Sequence, residues 1–189
     1  MVSRTAAVEA TRERMLDAAT ELFMDRYYDD VSIALVAQNA GVSAQTLLNH
    51  FGDKERLFAA VVERVAAQLD ERRGHAVPED AAEAIRILVD DYEITGDATI
   101  RLLAVEERLP VVRAVVERGR RGHREWIERV FAVPNRTSEL LVLTDIYVWK
   151  LLRRDQGLSV KATASTMHRM VDAVLTRPPH KPTKTRESR

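Results

Sequence analysis

An all-α fold follows from three features of the 189-residue chain. Apolar residues recur at helical spacing along most of its length. The composition is rich in Ala, Leu, Glu and Arg, all good helix formers. Alternating β-branched runs bounded by turn residues, the mark of strands, are missing. The seven Gly and six Pro are few, and they fall mostly between the periodic stretches as punctuation.

The first helix is predicted from about Val8 to Tyr27, with Met15, Ala18, Ala19, Leu22 and Phe23 forming one apolar stripe. Ser32 is placed as the N-cap of a short helix reaching Asn39. Ala40-Gly41-Val42 breaks it, and Ser43 caps a second short helix, Ala44 to Phe51. After Gly52, Asp53 caps a longer helix to about Arg73, whose stripe is Leu57, Phe58, Val61, Val65 and Leu69.

Gly74 to Pro78 is the best boundary in the chain, and Pro78 suits the start of a helix, where its missing N–H costs little. A helix follows to about Ile94, with Ile85, Leu88, Val89 and Tyr92 on one side. Thr95-Gly96-Asp97 is read as an interruption, with Asp97 starting the next helix. Pro110 opens a helix to Phe131, and Pro134-Asn135 breaks the chain again. A strongly apolar helix is expected from Ser138 to about Asp155, and a last one from Ser159 to near Leu175. The tail over 177–189 holds three prolines and mostly basic charge, the composition of a disordered segment.

Composition narrows the chemistry. There is no Cys, which excludes disulfides, thiolate metal sites and Cys nucleophiles. The five His are scattered and make no metal-binding spacing, and no nucleophile or phosphate-loop motif is present. Neither an enzyme, a cofactor nor a metal site is expected. No segment reaches the ~20 apolar residues of a membrane span, and the N-terminus lacks the apolar core of a signal peptide, so a cytoplasmic protein without a membrane partner is expected. Lys plus Arg equals Asp plus Glu at 29 each. Residues 1–56 hold six basic and nine acidic side chains, so positive charge facing a nucleic acid must be concentrated on one surface.

The informative segment is Val31 to Glu55, VSIALVAQNAGVSAQTLLNHFGDKE. Two short helices meet at a tight turn where Gly41 tolerates positive φ. Ile33, Val36, Ala40, Val42, Leu47 and Phe51 are spaced to face inward. This is the helix-turn-helix pattern, whose second helix enters the major groove. Its outward face would carry Ser43, Ala44, Gln45, Leu48 and Asn49. Gln45 and Asn49 are i and i+4 and so share a face. Both amides suit the N6/N7 edge of adenine. Thr46 suits a phosphate oxygen, and Lys54, at the start of the following helix, can join the backbone N–H groups there in holding a phosphate. The same pattern would also serve a solvated helical hairpin.

TRERMLDAATELF followed by VSIALVAQNAGVSAQTLLNHFGDKERLF resembles the N-terminal module of the tetracycline-repressor (TetR) family. The features that carry the resemblance are the apolar first helix, the AGVS turn, TL..HF and GDKE.LF, over about residues 10–65. Later, WKLLRRDQGLS and the final amphipathic helix are similar to the family's dimerisation helices. The resemblance implies a homodimer of about nine helices per protomer. It would bind a near-palindromic double-stranded operator, as a repressor released by a small-molecule effector. Ser43, Ala44, Gln45, Thr46, Leu48, Asn49 and Lys54 match the family's DNA-contacting segment. Ala44 stands where Lys or Arg is frequent, Gln45 where Gly is, and Leu48 where Tyr is typical, which removes phosphate contacts and leaves Leu48 for a thymine methyl.

Residues 1–55 are thus assigned to the DNA-binding domain, with helix 54–73 connecting to a ligand-binding and dimerisation domain over 74–176. Tyr92, Leu102, Trp126, Val130 and Tyr147 are the candidate ligand-pocket residues. Leu140, Leu141, Val148, Leu152, Met167, Met170, Val171 and Val174 are the candidate dimer contacts. Arg101 and His123 are further candidates for orienting a ligand. Two alternatives stand beside this reading: a ligand-sensing dimer with weak or lost DNA binding, and a protein–protein interaction module.

Overall fold

The computed structural model describes residues 4–177, and the described chain is helical with no strand. Apart from Arg177, the tail expected to be disordered lies outside the described residues. Four helices build an N-terminal head: α1 (Arg4–Asp25), α2 (Ile33–Asn39), α3 (Ala44–Phe51) and α4 (Lys54–Gly74). The starts of the last three are set locally. The side chains of Ser32, Ser43 and Asp53 accept from the backbone N–H of Leu35, Thr46 and Arg56, at 3.1, 3.0 and 2.8 Å. Each cap satisfies an N–H that has no partner within its helix.

The expected stripe of α1 is buried in full, and it packs on Leu57, Phe58 and Val61 of α4. Phe23, Tyr28 and Phe58 form an aromatic knot with ring centroids 5.0–5.9 Å apart. Tyr28 enters it from a short 3-10 turn, Tyr28–Asp30, between α1 and α2. Outside the knot, Arg64 of α4 bridges to Glu13 and Asp17 of α1.

The remaining helices are α5 (Ala81–Leu103), α6 (Pro110–Phe131), α7 (Thr137–Leu143), α8 (Ile146–Lys150) and α9 (Val160–Leu175). Two expectations are corrected here. The interruption at Thr95-Gly96-Asp97 does not occur: α5 runs through it unbroken. Thr95 keeps its hydroxyl inside the helix by donating to the Asp91 carbonyl at 2.9 Å, and Gly96 faces the core against Trp149. The single helix expected over Ser138 to Asp155 is two, because the chain turns at Thr144-Asp145. There the Thr144 hydroxyl donates back to Leu140 O, and Asp145 caps the N–H of Tyr147 at 2.8 Å. A π-helical turn, Leu151–Asp155, continues α8. Asp80 caps α5, and Pro78 lies just ahead of that cap.

Two buried clusters result. One fills the head; the other joins α5 to α9 around Tyr92, Trp126, Trp149, Leu140 and Met167. The clusters do not divide cleanly at residue 74. Val112 and Val116 of α6 are buried in the head's cluster, and Leu102 and Leu103 of α5 pack on it. Arg101 adds a polar tie by donating to the Met24 carbonyl at the end of α1, and Arg108 pairs with Asp29.

Candidate nucleic-acid interface

α2 and α3 meet at a turn in which Gly41 adopts φ +66°, a conformation that costs glycine little. Val42 N–H donates to Ala37 O at 3.0 Å and closes the turn. Leu47 and Phe51 anchor the inner side of α3 in the core. The outer side is left to Ala44, Gln45 and Asn49, all exposed, with Thr46 and Leu48 half-buried at its margins. Ser43 is exposed, and its hydroxyl lies 2.8 Å from that of Thr46. Gln45 and Asn49 are joined directly: Gln45 Nε2 donates to Asn49 Oδ1 at 2.9 Å.

The eight residues of α3 include no Asp, Glu, Lys or Arg. Cations stand around it. The Lys54 ammonium sits 4.1 Å from the centre of the Tyr28 ring. Burial there pulls the Lys54 amine below its ordinary pKa, while Asp29 and Asp30 oppose that shift. Arg12 of α1 lies over the Phe51 ring at 5.3 Å, and Arg56 lies 3.6 Å from Asp53. Sequence reasoning missed both Tyr28 and Arg12. Tyr28 is the platform under Lys54, and nothing in the local pattern separates it from the neighbouring exposed Tyr27.

The ligand-pocket candidates differ in their surroundings. Tyr92, Trp126 and Val130 are buried, Leu102 packs toward the head, and Tyr147 is 54% exposed. Tyr92 Oη donates to the Thr144 carbonyl at 2.8 Å, and Trp126 Nε1 to the Arg73 carbonyl at 3.2 Å. Of the five, only Trp126 borders the larger cleft, about 530 Å³, between α4 and α6. Its walls are mainly charged: Asp70, Arg73, Arg118, Arg121, Glu125 and Arg129. A smaller cleft of about 180 Å³ includes Arg72, Glu83, Arg86 and Asp91. Arg73 and Arg72 both reach the fully buried Asp91, at 2.7 and 3.3 Å. His123 packs against Trp126 and has Nε2 3.0 Å from the Thr144 hydroxyl. Among the described residues, no cluster of His, Asp or Glu is arranged to hold a metal. None of the described helices is long and apolar enough to cross a membrane.

Among the dimer candidates, Leu140, Leu152, Met167 and Val171 are buried inside the protomer, which leaves them almost no surface for a second subunit. Leu141, Val148, Met170 and Val174 are half-buried. The apolar side chains that α7 and α8 do expose, together with the turn that follows, are Val142, Tyr147 and Leu151.

A capped second helix held on a glycine turn, with a polar outer face, defines a helix-turn-helix protein. Residues 15–61 match the family model of bacterial regulatory proteins, tetR family. The chain is similar to that family over this stretch, which lies within the head described above. It is 30% identical over 93 residues to the HTH-type transcriptional repressor AcnR of Corynebacterium efficiens, covering 49% of this chain and 47% of that protein. It is 28% identical over 151 residues to the HTH-type transcriptional activator FasR of Mycolicibacterium smegmatis, covering 78% of this chain and 61% of that protein. The chain thus spans about half the length of the curated relatives it matches. A solved member of the TetR family from Streptomyces coelicolor superposes with a TM-score of 0.67 at 18% identity, over 85% of this chain and 97% of that one, and so shares the fold.

Proposed function

We propose that this chain regulates transcription as a homodimer that binds a near-palindromic operator through α3. The observation that carries the reading is the outer face of α3. Gln45 and Asn49 stand exposed and adjacent there, on a helix whose opposite side is locked into the head by Leu47 and Phe51. A side chain can read base edges only if its own backbone is fixed. Residues 1–55 form the reading head in this proposal, helix 54–73 connects, and 74–176 supplies the ligand and dimer functions. The two buried clusters favour such a division, with α6 lending Val112 and Val116 to the head.

The dimer is placed on α8 and α9, where Tyr147, Leu151, Met170 and Val174 offer apolar surface. A two-fold interface presents this patch to its own copy. Val142 of α7 adds to it. The small-molecule effector is placed in the cleft between α4 and α6, because its wall residue Arg73 stands near the C-terminal end of the helix whose other end enters the head. Repression with release by the effector is the proposed mode, in line with the repressor AcnR among its relatives.

Binding-site selection from random duplexes with the purified full chain tests the operator reading. A symmetric sequence with half-site centres ~34–36 Å apart is expected, since two heads must fit successive major grooves. Recovery of no enriched duplex overturns it. The effector reading is tested by repeating the binding against a metabolite library. The regulatory sign is tested by a reporter placed behind the selected operator.

A further inference from the structure

The bond between Gln45 and Asn49 constrains what α3 can read, given that α3 is the reading helix as proposed above. Gln45 Nε2 carries two hydrogens, and one is committed to Asn49 Oδ1 at 2.9 Å. The other hydrogen and Oε1 stay free, and together they form a donor–acceptor edge. That edge matches adenine in the major groove, where N7 accepts and the N6 amino group donates. Guanine presents two acceptors at the same places and cannot donate to Oε1. Asn49 is changed in the opposite way. Its oxygen is engaged by Gln45, so what it offers outward most freely is its Nδ2 donor pair, which does not by itself select adenine.

The residues around the pair sharpen this inference. Ala44 ahead of Gln45 is a methyl group, and α3 carries no Asp, Glu, Lys or Arg to compete for either amide. A free glutamine on a helix surface samples several rotamers and must give up that freedom on binding. Here the amide of Asn49, one helical turn away, biases that choice before any base arrives.

We infer that Gln45 and Asn49 act as one unit: Gln45 reads a single adenine in each operator half-site, and Asn49 is its positioning residue. The pair therefore specifies one base rather than two.

Site selection with the parent, Gln45→Ala, Asn49→Ala and Asn49→Asp tests this inference. Asp at 49 keeps an oxygen for Gln45 but loses the donors. The parent is expected to prefer adenine at one position per half-site by about 5- to 100-fold, the discrimination of a bidentate amide contact. Gln45→Ala should abolish that preference. Asn49→Ala should relax it about twofold, and Asn49→Asp should keep it even as added negative charge weakens binding to all sequences. Replacing the selected adenine by 7-deaza-adenine removes N7 and should cost the parent much and Gln45→Ala little. Unchanged preference in Asn49→Ala, or a second position lost in Asn49→Asp, overturns the paired reading while leaving DNA binding intact. Selection of no duplex by the parent overturns both.

Discussion

Trp149 occupies the space where Gly96 would carry a side chain. A Cβ at position 96 would stand 2.5 Å from Cζ3 and Cη2 of the indole. The ring has little room to retreat: it is fully buried, its Nε1 donates to Glu93 at 2.9 Å, and Arg154 lies over it at 4.5 Å. Alanine favours a helix over glycine by about 1 kcal/mol. The clash outweighs that gain, since overpacking a closed core costs ~1–3 kcal/mol before relief elsewhere. Gly96→Ala is therefore expected to destabilise the protein in urea unfolding. Adding Trp149→Phe should remove part of that loss, so the two changes should be non-additive. An additive pair contradicts the contact.

His123 gives the protein an acid-sensitive point. Burial, with Arg73 adding to it, pushes its pKa down to about 4. Unfolded, it titrates near 6.5. Between these values the unfolded chain binds a proton that the native one refuses, so stability falls as pH drops from 6.5 toward 4. The loss from this residue amounts to about 3 kcal/mol at most. His123→Gln should flatten unfolding free energy across that window relative to the parent. Equal slopes for the two proteins would show that His123 is not the group responsible.

Asp91 has no exposed surface, and burial raises its pKa while Arg73 and Arg72 lower it. Arg73 is itself 14% exposed, so removing the carboxylate leaves a guanidinium largely cut off from water. Breaking one side of such a pair costs about 3–5 kcal/mol. Arg72, at 39% exposed, can turn back to solvent and add less. Thermal unfolding should therefore rank Asp91→Ala well below the parent, with Asp91→Asn between them because it keeps an acceptor. Equal melting temperatures would refute the pair's contribution.

Lys54 rests on Tyr28 at the edge of the proposed interface. Lys54→Ala should weaken binding to all operators alike, and lower the slope of log affinity against log salt by about 0.9 if it meets one phosphate. Tyr28→Leu should leave the charge but loosen its position, so binding should fall with the slope retained. An unchanged slope in Lys54→Ala places the phosphate contact elsewhere.

The head was legible in the sequence because its signals are local. Ser32, Ser43 and Asp53 each bond an N–H three residues ahead, and Gly41 turns a corner within four residues of chain. Spacing alone also put Gln45 and Asn49 on one face. The bond between them was not implied, since i and i+4 amides on a helix are free to point apart.

Beyond the head, the sequence by itself determined helix type and most helix starts, because caps and apolar periods act over a single turn. Only the tertiary structure decided what those helices bury. Gly96 carries the local signature of a helix breaker, yet α5 runs through it, and Trp149 of α8 takes the space a side chain there would need. Leu140 and Met167 look like contacts for a second subunit, yet they are enclosed by their own chain. An aliphatic residue loses the same apolar surface to either partner, so composition cannot tell the two apart; only the packed arrangement of helices does.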